Sequence, residues 1–166
     1  LKPLALTIAI CTALLAAGCG GGGDSTTAES TAAAKCVIKA PAEVDTKTKP
    51  KVEIPECEPP STLVIKDLKK GSGKTAKPSD TVTVQYVGLN FKTGEEFDSS
   101  WSRHEPASFP LEQVIPGWTQ GMAGMKVGGR RELIIPPALG YGEAGSPPTI
   151  PPNETLVFVI DLLAVH

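Results

Sequence analysis

All eight aromatic residues of the chain (Tyr86, Phe91, Phe97, Trp101, Phe109, Trp118, Tyr141 and Phe158) lie beyond residue 85. A core needs large apolar side chains, so the folded domain belongs to the last two thirds of the sequence. Hydrophobic residues make up 40% of the chain, enough to build that core. Seventeen Gly and sixteen Pro disfavour long helices and favour a turn-rich β architecture. Sixteen Lys and Arg against eighteen Asp and Glu give a net charge of −2, which leaves no broad basic footprint for nucleic acid.

The first third reads as an export and tethering segment. Lys2 precedes an apolar run from Leu4 to Ala17, short of the ~20 residues that span a bilayer but suited to a signal peptide. The run closes in Ala16-Ala17-Gly18-Cys19, followed by Gly20 to Gly23 and a Ser/Thr/Ala stretch. This resembles a bacterial lipoprotein signal over residues 1–18. The resemblance implies that Cys19 carries the lipid and that the protein is exported and held on the outer face of the cell membrane. An ordinary secretory signal with a chance cysteine is the alternative. Residues 19–60 then form a flexible stalk. Setting aside Cys11 within the signal and Cys19, two cysteines are left, Cys36 and Cys57. In an oxidising compartment they pair, closing a loop of about 20 residues for roughly 3 kcal/mol, unless both stay as free thiols. Neither has a second ligand nearby at zinc spacing.

From Pro59-Pro60 onward the pattern is one β-rich domain, residues 61–166. Leu63-Val64-Ile65 opens a strand. Thr81 to Tyr86 alternates, with Val82, Val84 and Tyr86 on one face, as in a half-buried antiparallel strand. Lys92-Thr93-Gly94-Glu95 is a hairpin turn returning through Glu96-Phe97-Asp98. Pro116 suits the first turn of a short helix in which Met122 and Met125 follow Trp118, although Gly121 and Gly124 weaken it. Arg130 to Ile135 is a strand stopped by Pro136-Pro137. Leu156 to Leu163 is a nearly continuous apolar run and reads as a central strand.

Several chemistries find no footing. Gly73-Lys74-Thr75 lacks the earlier glycine of a phosphate-binding loop, because Leu68 stands there, and Pro78 blocks the helix that should follow. His104 and His166 lie far apart and are read as surface residues. Ser99-Ser100 has no convincing base partner. The sequence predicts no metal and no cofactor, which points to binding or to chemistry that breaks no bond.

What remains is a set of apolar and aromatic residues with a few polar groups. Phe97-Asp98-Ser99-Ser100, Val114-Ile115-Pro116-Gly117-Trp118 and Tyr141-Gly142 occur in an order and spacing that closely resembles an FKBP-type peptidyl-prolyl cis-trans isomerase from about Thr62 to His166. The resemblance implies an α+β fold, an antiparallel β-sheet wrapped around one short helix with a shallow apolar pocket between them. It implies Trp118 as the pocket floor, with Tyr86, Phe97, Val114, Ile115 and Phe158 as walls. The Ile115 N–H and the Tyr141 hydroxyl would hold substrate carbonyls, Asp98 would set polarity at the edge, and Phe109 and Ile150 would line the rim. The partners implied are proline-containing segments of exported proteins and the family's macrolide inhibitors, bound by a monomer. Ala107 stands where many members carry a second aromatic beside Phe109, and Ser146 where some place a bulky ring. These departures bear on macrolide binding more than on isomerisation. A non-catalytic module that grips proline segments as a chaperone is the alternative to an enzyme.

Overall fold

The alternation at residues 81–86 becomes the longest strand pairing of the domain. The computed structural model describes residues 44–166; the signal segment, Cys19 and Cys36 lie outside the described residues. Six strands follow in chain order. They are β1 (Val64–Lys69), β2 (Thr81–Asn90), β3 (Glu96–Ser99), β4 (Ala107–Pro110), β5 (Arg130–Ile135) and β6 (Leu156–Val165). One α-helix among the described residues, α1 (Pro116–Met122), lies between β4 and β5. The sheet order is β1-β5-β6-β2-β3, with β4 also on β2, and every pairing is antiparallel. β6 is indeed central, which accounts for its uninterrupted apolar run.

β2 divides its outer edge between two partners. β4 takes Thr81 to Val84 and β3 takes Val87 to Leu89. The chain from Ser100 to Pro106 crosses between them. Sequence patterning alone does not reveal β4. Its four residues follow Pro106 and end on Pro110, and proline within a short run argues against a strand except at an edge, which is where β4 lies.

The concave face of the sheet holds the main core. Val82, Val84, Leu133, Ile135, Leu156, Ile160 and Leu162 pack there against Leu111, Trp118, Met122 and Met125. The glycines of α1 are the reason it sits so close. A Cβ at Gly117 would stand 2.4 Å from Ile135 Cγ2, and one at Gly121 2.6 Å from the Leu133 methyls. The same residues that weaken the helix locally therefore let its backbone lie directly on β5. Gly124 and Met125 fall beyond the helix end, and Met125 is buried through a turn in which its N–H donates to the Met122 carbonyl at 3.0 Å. Arg131 reaches from β5 to the helix C-terminus, donating to the Gly121 and Ala123 carbonyls at 2.7 and 3.2 Å and pairing with Asp67 at 2.6 Å. Those carbonyls have no partner within the helix, so an arginine there supports its last turn.

The stalk boundary needs correction. Val52, Ile54 and Cys57 pack on the convex face, over Phe91, Ile134 and Val157. Thr48 offers its carbonyl to Arg130 at 2.9 Å, and Lys49 pairs with Glu96 at 2.7 Å. Residues 48–57 are therefore a strap on the sheet rather than free tether. Ile134 and Val157 would otherwise expose apolar surface, and the Lys- and Pro-rich composition around Val52 and Ile54 hides the two side chains that cover it. Cys57 is disulfide-bonded, and its partner lies outside the described residues.

Candidate functional site

Four elements bring their aromatic rings to one place. β2 supplies Tyr86, β4 Phe109, α1 Trp118 and β6 Phe158. The Trp118 indole is met edge-on by Phe158 at 5.3 Å and 88°, by Tyr86 at 5.4 Å and 86°, and by Phe109 at 5.6 Å and 82°. Phe97 from β3 stands perpendicular to Phe158 at 5.5 Å. Edge-to-face pairs of this kind fix ring orientation as well as burying area. Gly88 makes room for them, since a Cβ there would lie 2.7 Å from Phe97 and 2.8 Å from Phe158. Tyr86, Trp118 and Phe158 are each only 4% exposed, whereas Phe97 and Phe109 are half-buried and open the group to solvent.

Val114 and Ile115, half-buried, complete one side immediately before α1. Ile115 is the residue before the first turn, in extended conformation at φ −57° and ψ 145°, and its carbonyl accepts from the Trp118 N–H at 2.9 Å. Pro116 forces that geometry on Ile115 and starts the helix without needing an N–H partner. Ile150, 4% exposed, joins the same cluster from the loop after β5. Tyr141 stands apart, 41% exposed on that loop, and its ring pairs with no other ring among the described residues.

The polar side of the site is a triangle of Tyr86, Asp98 and Arg103. The Tyr86 hydroxyl donates to the Asp98 carboxylate, as does the Arg103 guanidinium, which also donates to the Tyr86 oxygen at 2.9 Å. The guanidinium carbon lies 5.7 Å from the Tyr86 ring centre. Burial and the hydrogen bond to Asp98 push the Tyr86 phenol up to about 12, so it stays protonated at any ordinary pH. The Arg103 guanidinium is held above its usual value by its bonds to Tyr86 and Asp98. Asp98 is thus tied to ring and guanidinium rather than capping the turn of Ser99 and Ser100. Ser100 braces the tyrosine from the backbone side. Its Oγ accepts from the Tyr86 N–H at 2.8 Å and its N–H donates to the Tyr86 carbonyl at 3.1 Å, which pins Tyr86 against the loop after β3.

Sequence reasoning missed Arg103. The available signal was a basic residue five positions after a carboxylate at a pocket edge, within reach of it across a tight turn. His104 follows it at φ +57°, exposed on the same turn.

Comparison with known proteins gives this arrangement a family. A family model described as FKBP-type peptidyl-prolyl cis-trans isomerase matches residues 72–163. The chain is similar to an FK506-binding protein of Streptomyces anulatus, 57% identical over 120 residues, which are 70% of this chain and 97% of that one. It is also similar to the FKBP-type peptidyl-prolyl cis-trans isomerase FkpA of Escherichia coli K12, 52% identical over 103 residues. That match covers 62% of this chain and 37% of FkpA, so this chain spans little more than a third of FkpA. The crystal structure of FkpA from Escherichia coli superposes with a TM-score of 0.59 over 63% of this chain and 48% of that one. A six-stranded antiparallel sheet around one short helix, a ring of aromatics closing on a buried tryptophan, and a matched span of more than half the sequence agree: the chain belongs to the FKBP-type peptidyl-prolyl cis-trans isomerase family and is an isomerase of X-Pro bonds that assists protein folding.

Proposed function

We propose that the cage around Trp118 takes the proline ring of an X-Pro segment and holds its amide twisted. The observation that carries this reading is the edge-on closure of Tyr86, Phe109 and Phe158 around one indole. Rotation about an X-Pro bond meets a barrier of about 18–20 kcal/mol because resonance gives the C–N bond double-bond character. The planar amide is the more charge-separated form, so water favours it over the twisted one. A site that strips water away and fits the twisted form lowers the barrier with no acid, base or nucleophile. Trp118 is the floor of the pocket, and Tyr86, Phe97, Val114, Ile115 and Phe158 are its walls. The Ile115 N–H and the Tyr141 hydroxyl hold the flanking carbonyls. Asp98, bound to Tyr86 and Arg103, keeps the pocket edge polar and the Tyr86 ring fixed, while Phe109 and Ile150 bound the rim. Macrolides that bind this family occupy the same cage, more weakly for the loss of ring contacts at Ala107 and Ser146.

The pH dependence tests this mechanism. Since burial pushes the Tyr86 phenol up to about 12, it stays protonated across the assay range and no proton need move there during turnover. The efficiency kcat/KM is expected to stay flat, within about twofold, from roughly pH 5.5 to 8.5, unlike the bell of a general acid–base enzyme. Histidine is the side chain that ordinarily titrates in this range, and His104→Gln is expected to leave both rate and profile unchanged. A limb near neutral pH that disappears in that variant would show proton transfer at the site.

The same proposal places the protein outside the cytoplasmic membrane, acting on exported chains from a lipid tether at Cys19, with Cys36 as the partner of Cys57. The run from Leu4 to Cys19 supports the tether, and the bonded state of Cys57 supports the pairing. Two or more acyl chains give firm attachment at about 0.8 kcal/mol per buried methylene. Intact-mass measurement of protein made in its host tests both points. The mature chain is expected to begin at an acylated Cys19 and to gain two mass units on reduction, and Cys19→Ala is expected to abolish fatty-acid labelling and membrane partition. An unmodified mature N-terminus, or no mass change on reduction, would contradict the corresponding assignment.

A further inference from the structure

A second cleft is bordered by Phe97. It has a volume of about 460 Å³ and is lined by Asn90 at the end of β2, Glu95 just before β3, Glu96 and Phe97 at the start of β3, and Pro148 and Thr149 in the loop before β6. Phe97 is the wall it shares with the aromatic cage, since the same ring packs on Phe158 at 5.5 Å. Phe97 thus borders both the cage and the cleft.

Two features of the cleft point to what it holds. Its floor carries Asn90, 5% exposed, whose Nδ2 donates to the Thr149 carbonyl at 3.2 Å while its Oδ1 is buried without a partner among the described residues. A buried amide oxygen left unpaired is unfavourable, and a backbone N–H of an extended chain would complete it. The rim is acidic. Glu96 is committed to Lys49 of the strap at 2.7 Å and to the Ser102 hydroxyl at 2.7 Å. Burial pushes the Glu96 carboxyl up, but the hydrogen bonds from Lys49 and Ser102 and the Lys49 charge outweigh this and hold it below its usual value. The ammonium of Lys49 shows the chemistry this rim accepts. Glu95 is exposed on the same rim and joins no ion pair among the described residues, so it is the carboxylate left for an incoming cation.

We propose that this cleft is a second substrate subsite, which binds the polypeptide beyond the proline and selects a Lys or Arg there through Glu95, with Asn90 accepting a substrate backbone N–H. The subsite rests on the reading that the Trp118 cage takes the proline. It makes the enzyme a selective catalyst, favouring X-Pro bonds that lie near a basic residue.

The test is a set of Leu-Pro peptides with a single Lys, Glu or Gln moved through successive positions on either side, assayed with the full mature protein. At one or two positions the Lys peptide is expected to exceed the Glu peptide in kcat/KM by about two- to fivefold, expressed in KM. The preference is expected to shrink as salt rises from about 0.02 M to about 0.5 M. Glu95→Gln is expected to remove it and Glu95→Lys to invert it, while an alanine-flanked Leu-Pro peptide is turned over equally by all three proteins. Asn90→Ala is expected to raise KM for lengthened peptides by about three- to tenfold and to leave short ones alone; should that variant fold poorly, the Glu95 variants still decide the matter. Lys and Glu peptides handled alike at every position, or a preference that survives Glu95→Gln, would overturn the proposal. Failure to turn over the alanine-flanked peptide would instead overturn the reading of the cage itself.

Discussion

Trp118→Ala is expected to lower stability by about 3–5 kcal/mol and to remove most of the activity of whatever remains folded. The indole is 4% exposed and meets three rings edge-on, so truncation leaves a cavity that those rings cannot fill without leaving their orientations. A domain of this size commonly has only about 5–15 kcal/mol in hand, and stability must be measured beside rate. The catalytic loss has a separate origin. If burial of the proline ring on the indole is worth about 2 kcal/mol, its removal lowers kcat/KM by about 30-fold, at a factor of ten per 1.36 kcal/mol. Trp118→Leu separates the two effects. It restores part of the core volume and is expected to recover part of the stability with little of the activity. Urea unfolding and peptide isomerisation, run on both variants, check this. A folded Trp118→Ala protein with near-normal kcat/KM would show that the indole is core and nothing more.

Asp161→Asn is expected to be as damaging to stability, although it lies away from the pocket and changes one atom. Arg130 and Asp161 face each other on β5 and β6 in a two-pronged ion pair at 2.6 and 2.7 Å, with side chains 5% and 1% exposed. Burial pushes the Asp161 carboxyl up, against the pull of Arg130. Neutralising the carboxylate leaves a guanidinium buried without its counter-charge, an arrangement that destabilises by about 3–5 kcal/mol. The double variant Arg130→Met with Asp161→Leu removes both charges and is expected to regain most of the loss, since buried pairs themselves add little over well-packed apolar residues. Denaturant midpoints of the three proteins test this. Arg130 also donates to the Thr48 carbonyl, so the double variant, which removes that donor, is expected to loosen the strap and speed proteolysis near residue 48. Equal stability of wild type and Asp161→Asn would mean that the pair does not hold the sheet as its geometry implies.

Most of the fold was legible in the sequence because hydrophobic alternation reports directly on burial. Val82, Val84 and Tyr86 are all buried on one face of β2, and Leu156, Phe158, Ile160 and Leu162 share one face of β6. Signals failed where the deciding contact was remote. β4 is too short and too proline-bounded to show a period, and it exists because half of β2 has a free edge. The strap looked like tether, because two apolar residues among lysines and prolines show their purpose only once Phe91, Ile134 and Val157 are seen beneath them. Gly117 and Gly121 read as helix-weakening and prove to be the contact face toward Ile135 and Leu133. In the site, the aromatic residues were visible from their joint spacing. Arg103 and Asn90 were not, because an ion pair across a turn and a buried amide oxygen have no periodic signature.

The measurement that tests the account most directly is the rate of cis-to-trans conversion of short X-Pro peptides in the presence of the intact protein, with serum albumin as the control. A pocket that works by excluding water and gripping an apolar ring should accelerate Leu-Pro and Phe-Pro peptides strongly and Glu-Pro peptides much less, because a charged residue beside the proline resists desolvation. Acceleration no greater than that of albumin, or equal acceleration of Leu-Pro and Glu-Pro peptides, would contradict it.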